Sequence, residues 1–343
     1  MKKIKLLSIV IFLLAASSMQ AKEKYTSTFK KEYEVNRDAT VEIDNSFGDI
    51  QCYAWNENKV KIEVFVEVLA SDEKSANRVF DRIDIEIDGD KSRVTQNTDV
   101  NNVKGKNVKF SINVNVYLPE SLNLDFSNRF GNTYLGTVQG KTKLNQAFGT
   151  LQAIELMNED NNIKVQHGGL QVELINEADI NIQHSELNIE KVGFLKLDQQ
   201  FTDVKIEEVD RLYLDSNFGS VEIEEAGVVE SDLNGTNIKI DYLTKSFQAD
   251  CNLGGIEIEE IARNFSEIDI DGQHASISLG VNSGSSFTFD LSSEFASIYL
   301  PSGFNATKEK RSFNSYRYRG KVGEKASQGL ITIESRFGTI EIH

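Results

Sequence analysis

Two stretches near the middle of the chain, LKLDQQFTDVKIEEVD from 195 and LYLDSNFGSVEIEEAG from 212, are copies of one pattern. Each has a short alternating apolar run, a polar corner, an aromatic residue, and a second alternating run. The aromatic moves from Phe201 to Phe218, a step of 17 residues. A fixed short period constrains folding strongly, because one copy cannot bury its apolar side alone and stacking of copies completes a core.

From about residue 122 the corner positions are Phe130, Phe148, His167, His184, Phe201, Phe218, Gly235, Leu253, His274 and Phe295. Their steps are 18, 19, 17, 17, 17, 17, 18, 21 and 21 residues. Three residues past each corner stand Leu151, Leu170, Leu187, Val204, Val221, Ile238, Ile256, Ile277 and Ile298, and Thr133 fills that place in the first copy. An earlier copy, VEIDNSFGDIQCYAW (41–55), carries Phe47, and a last one, ITIESRFGTIEIH (331–343), closes the chain with Phe337 and Ile340.

Alternation within each run points Val, Ile and Leu inward and Lys, Glu, Asn and Ser outward. The glycine at the corner is expected to supply the positive φ that turns the chain. Equivalent positions of neighbouring copies should then lie ~4.8 Å apart, with the corner aromatics in a ladder. A barrel or sandwich would not hold so constant a period. The expected fold is all-β: a parallel β-helix, or β-solenoid, with coils of 17–21 residues.

Three parts follow. Residues 1–21, with a Lys-rich start, an apolar run from Leu6 to Ala16 and small residues up to Ala21, read as a cleaved export signal. Residues 22–121 read as a β-rich cap. Polar residues lead into 41–55, strands are expected at 60–68, 83–88, 92–96 and 110–118, and one helix at about 72–82. Ser71 is its expected N-cap, and Ala76, Val79, Phe80 and Ile83 form its apolar stripe. Residues 122–343 hold the repeats and a second cap. Between Pro301 and Gly329 the period lapses, and KEKRSFNSYRYRGK (308–321) reads as a charged, irregular cover for the open edge of the last coils.

Charge narrows the partners. Loss of Lys2, Lys3 and Lys5 with the signal takes the net charge from −16 to −19. Nucleic acid and anionic membrane surfaces carry the same sign and are disfavoured. After the signal no apolar stretch is long enough for a membrane helix. The expected protein is exported and not membrane-embedded, residing in the periplasm or at the cell surface. Cys52 and Cys251 are expected as two separate buried thiols, since Cys52 takes an apolar slot in an alternating strand.

The segment NSFGDIQCYAW followed by VKIEV, the helix and strands of 71–118, and the FG-type repeats together resemble the putative-adhesin family of exported bacterial proteins, a domain of unknown function built from β-strand repeats. The resemblance covers nearly all of the chain after the signal. It implies a parallel β-helix and a role at the cell envelope, and it carries over no catalytic residues.

Outside the core, one row of acids recurs in six consecutive copies: Glu173, Glu190, Glu207, Glu224, Asp241 and Glu259. Stacked carboxylates repel by about 1 kcal/mol per pair in water, and Ca²⁺ bridging would relieve this. Lys205 and Lys239, two positions before Glu207 and Asp241, are the other means of neutralising them. His167 and His184 take equivalent corners, either as a partial metal site or as flat rings in the ladder. Tyr316, Arg317 and Tyr318 are a candidate binding patch for a sugar or a protein. The acids are spread evenly rather than paired, and no phosphate loop, nucleophile elbow or dinucleotide fingerprint occurs, so no catalytic residue is assigned. The function expected is that of a non-enzymatic envelope interaction, adhesin-like or structural protein, with an envelope protein or glycan as partner. A carbohydrate-active enzyme and a calcium-binding module are the alternatives, calcium being the sole cofactor implied.

Overall fold

An alternating run buries its apolar side only if further runs lie beside it. The computed structural model describes residues 22–101, 103, 109–323 and 329–343, and its secondary structure is β apart from one helix. The chain begins with β1 (Glu23–Glu34), β2 (Thr40–Ser46), β3 (Ile50–Ala54), β4 (Lys59–Ala70), helix α1 (Glu73–Phe80), β5 (Ile83–Gly89), β6 (Arg93–Val100) and β7 (Lys109–Leu118). The copies then run through β8 (Asn123–Arg129), β9 (Thr133–Val138), β10 (Thr142–Ala147), β11 (Thr150–Leu156), β12 (Asn161–Gln166), β13 (Gly169–Gln183), β14 (Glu186–Ile261) and β15 (Glu267–Val281). Last come β16 (Phe287–Glu294), β17 (Ser297–Tyr299), β18 (Asn305–Ser312), β19 (Ser315–Val322), β20 (Gly329–Arg336) and β21 (Thr339–Ile342).

Each run pairs in parallel with the same run of the next copy. Before the corner, Leu144 lies between Phe126 and Ile163; after it, Leu170 lies between Leu151 and Leu187. All six side chains are at most 1% exposed. Burial of one such side chain stabilises the fold by about 1.5–3 kcal/mol, and the rows extend through every copy. In β14 the pairing does not break at the turns, and side-chain contacts mark the period: Gln199 to Ser216, Asn217 to Asn234 and Lys191 to Glu208 are each 17 residues apart.

The corner is built differently from the sequence expectation. The left-handed residue is the aromatic itself, with φ from 49° at His184 to 67° at Phe47, and Gly235 takes the same conformation at 64°. A bulky residue there costs roughly 1–2 kcal/mol. Two features hold it. The rings stack at centroid distances of 4.9–5.3 Å and interplanar angles of 5–15°. Buried polar side chains two residues before the corner bind its backbone: Asn45 Nδ2 donates to the Gly48 carbonyl at 3.2 Å, and Gln199 Oε1 accepts from the Thr202 amide at 3.1 Å. The glycine after the aromatic serves close approach instead, since a Cβ on Gly149 would lie 1.9 Å from the carbonyl oxygen of Gly131.

A substitution series at Phe201 tests this corner. Phe201→Gly should stay within about 1 kcal/mol of wild type, because strain relief offsets the two lost ring contacts of about 0.5–1.5 kcal/mol each. Phe201→Val loses the contacts and worsens the strain, so it should fall at least about 2 kcal/mol below the glycine variant. Urea titration measures both, and equal losses would show that corner handedness is immaterial.

Both ends of the stack are finished by antiparallel strands. β1 pairs with β4, β4 with β7, and β7 runs parallel to β3. On the other row β5 pairs antiparallel with β6, which runs parallel to β2. β1, expected as a polar lead-in, is a 12-residue edge strand, and its charged side chains discourage further pairing. The N-cap of α1 is Asp72 rather than Ser71; its carboxylate accepts from the Ser75 amide at 2.7 Å.

At the far end, β20 lies between β15 and β16, and β21 between β15 and β17. The last copy in sequence is therefore not last in space. The segment expected to be irregular is a hairpin, β18–β19, whose β19 pairs antiparallel with β16, while β18 forms the charged edge. Cys52 is half-buried and Cys251 buried, both as free thiols, and burial pushes the Cys251 thiol up to about 11. Among the described residues no helix is long and apolar enough to cross a membrane. The expected export signal, 1–21, lies outside the described residues.

Candidate functional site

The run after each corner alternates cleanly for four residues and then breaks. In β13, Leu170 and Val172 are buried and Gln171 and Glu173 exposed, yet Leu174 also turns outward before Ile175 goes in. Two successive outward residues bend the chain, and the register skips the Glu173–Glu190 level, passing from Val172–Ile189 to Leu174–Lys191. Glu207 with Glu208, Glu224 with Glu225 and Asp241 with Tyr242 repeat the arrangement between buried neighbours. The acid row thus forms a ridge along the molecule.

On one side of the ridge runs a groove of ≈ 850 Å³. Its outer row is Gln152, Gln171, Asn188, Lys205, Glu222 and Lys239, one residue per copy, and Tyr134 stands at one end. Gln152 Nε2 donates to Gln171 Oε1 at 2.8 Å. On the other side lies a second hollow of ≈ 640 Å³, where Lys191 meets Glu208 at 2.6 Å.

Five of the six expected acids, Glu173 to Asp241, line the groove, and Glu259 follows in the next copy. Lys239 bridges Asp241 at 3.1 Å and Glu259 at 3.2 Å, and its ammonium holds the Glu259 carboxyl below the usual carboxylate range. Lys205 turns instead to Glu222, 3.7 Å away. Among the described residues, Glu173, Glu190, Glu207 and Glu224 make no ion pair. No group of three His, Cys, Asp or Glu among the described residues is arranged to hold a metal ion. His167 and His184 stack on each other at 5.1 Å and 5°, between Phe148 and Phe201.

Tyr316, Arg317 and Tyr318 are consecutive and half-buried on β19, and they alternate in face: Tyr318 packs against the core opposite Leu291, and Arg317 turns to Asp290. The Arg317 guanidinium donates to both carboxylate oxygens of Asp290 on β16, and Arg319 adds a contact at 3.1 Å. The Lys308 ammonium sits over the Tyr316 and Tyr318 rings at 4.5 and 5.1 Å. These residues thus fasten the hairpin to the stack.

Arg317 holds the Asp290 carboxyl below its ordinary value. A depressed carboxylate stabilises the fold fully above its unfolded pKa of about 3.9, and the contribution is lost as pH falls through the folded value. Asp290→Ala should cost about 1–2 kcal/mol at pH 7 and less at pH 2. Amide exchange in 305–322 reads this; equal loss at both pH values would contradict the ion pair's role.

Sequence reasoning found the acid row with Lys205 and Lys239 beside it, but not the rest of the groove's outer row, Tyr134 or the bend. The doublets Glu207-Glu208 and Glu224-Glu225, which interrupt strict alternation, were the available signal.

The chain is similar to three crystal structures. One is a putative cell adhesion protein from Clostridium sporogenes, 12% identical, covering 93% of this chain and 99% of that one, with a TM-score of 0.20. A putative adhesin from Bacteroides fragilis is 11% identical over 92% and 97% of the two chains, with a TM-score of 0.28. A putative adhesin from Parabacteroides distasonis is 12% identical over 92% and 97%, with a TM-score of 0.25. No family model matches the sequence, and no curated protein matches it.

Proposed function

We propose that the chain is a parallel β-solenoid, exported, that serves as a non-enzymatic adhesin-like or structural interaction protein of the cell envelope. Its groove holds an extended protein or glycan. The periodicity of that groove supports the reading most: one polar side chain per copy recurs every ~4.8 Å, so a linear polymer of similar repeat meets an equivalent group at each step. Amides such as Gln171 and Asn188 both donate and accept, which suits hydroxyl and peptide groups alike. Hydrolysis needs an acid pair at one set spacing, whereas these carboxylates form an even row.

The test compares wild type with Gln171→Trp/Asn188→Trp, which fills the groove, for retention of envelope glycans and proteins on immobilised chain. Loss of at least about tenfold with an unchanged unfolding midpoint is expected. Undiminished retention would overturn the groove as the site, and recovery of cleaved glycan would overturn the non-enzymatic assignment.

A second reading, calcium binding, is favoured by the four carboxylates of Glu173, Glu190, Glu207 and Glu224, which make no ion pair among the described residues. It requires that millimolar calcium raise the unfolding midpoint above the effect of sodium at equal ionic strength, reversibly with chelator. Equal effects of the two salts would remove it.

A further inference from the structure

The segment Gly329–His343 is the last copy in the chain, yet it lies between two copies that precede it. Ile331 is flanked by Ile268 and Phe289, Ile333 by Ile270 and Leu291, and Ile340 by Ile277 and Ile298. The Phe337 ring stacks on His274 at 4.9 Å and on Phe295 at 5.2 Å. β15 and β16 therefore meet through this segment.

The two flanking copies fit the same template. Their corners, His274 and Phe295, and their inward residues, Ile277 and Ile298, are each 21 residues apart, as Leu253 and His274 are in directly adjacent copies. Asn282–Ser286 joins them. At about 3.3 Å per residue this link reaches across one level or two with slack. The flanking copies can thus pair with each other or admit a third between them.

The segment is held through the pattern common to all copies: parallel pairing, inward isoleucines and a stacked ring. Among the described residues, Arg336 pairs with Glu294 at 3.6 Å. An identical segment from a second molecule would regain all of these contacts, the condition under which exchange between protomers is cheap.

We propose that Gly329–His343 is an exchangeable element, and that two copies of this chain trade it, each slot between β15 and β16 taking up the other's segment. The inference is independent of the groove. It names a self-interaction surface made by strand addition rather than by an exposed patch.

Ser276 and Thr339 are opposite each other in register, and so are Asp271 and Glu334. The experiment mixes full chains carrying Ser276→Cys with full chains carrying Thr339→Cys, holds them just below the unfolding midpoint at high concentration, cools and oxidises them. Exchange places the two thiols opposite each other in different molecules, so the mixture should give several-fold more reducible dimer than either variant alone. Asp271→Cys with Glu334→Cys should do the same on the other row. If both mixtures give no more dimer than the separate variants, whose midpoints match wild type, the segment does not exchange and the proposal is overturned. Excess dimer from a single variant alone, at the level of the mixture, would also overturn it, because collision would then explain the link.

Discussion

Ile189→Asp is expected to cost more than about 4 kcal/mol, because it removes an isoleucine's burial and leaves a carboxyl without a partner in the core. Ile189 is 2% exposed and lies opposite Val172 in the preceding copy. Each copy touches only its neighbours, so the damage should be local in origin and divide the molecule. Calorimetry should resolve two transitions in place of one, with copies on either side of residue 189 melting apart. A single transition shifted by less than about 1 kcal/mol would show that Ile189 does not face a shared core.

Gly149→Val should cost about 3 kcal/mol, since the added Cβ meets the Gly131 carbonyl oxygen at 1.9 Å. Thr236 and Ala275 carry a Cβ at this place in other copies, so the main chain can yield there, which keeps the cost within the overpacking range. The control is Gly136→Val in β9, where nothing lies within 4 Å of an added Cβ. That change should be neutral or stabilising by up to about 1 kcal/mol, as valine suits a strand. Urea midpoints read both, and similar losses at the two glycines would show that copies do not approach closely at the corner.

What the sequence made legible was the repeat, because one residue type marks it: Phe201, Phe218 and their equivalents recur beside inward residues such as Val204 and Val221. Its chemistry was harder to read. Positive φ is ordinarily glycine's property, so Gly219 seemed the turning residue when Phe218 is; stacked neighbours and buried side chains that bind the corner backbone make an aromatic tolerable there. β1 escaped notice because an edge strand exposed along most of its length has no alternation to display. β18 escaped for the same reason, and β19, half-buried without a fully buried face, shows no clear alternation either. The place of Ile331 and Ile340 in the stack was illegible in principle, since every copy offers the same pairing template.

The candidate site was half legible. Regular spacing revealed the carboxylates from Glu173 to Glu259, but which of them are neutralised depends on rotamers: Lys239 reaches two acids of the row, and Lys205 reaches none of them. The patch of Tyr316, Arg317 and Tyr318 was expected from its composition. Its ion pair with Asp290 depends on a hairpin that composition does not disclose.

The most direct test of the parallel solenoid is a set of spin-label distances along the outer row of the groove. Labels are placed on cysteines at 152 and 222, 152 and 239, and 152 and 257, with Cys52 and Cys251 replaced. These pairs are four, five and six copies apart, so distances near 19, 24 and 29 Å are expected, rising by ~4.8 Å per copy. Distances that level off or shorten at the third pair would mean that the copies curve back into a closed barrel, and would contradict it.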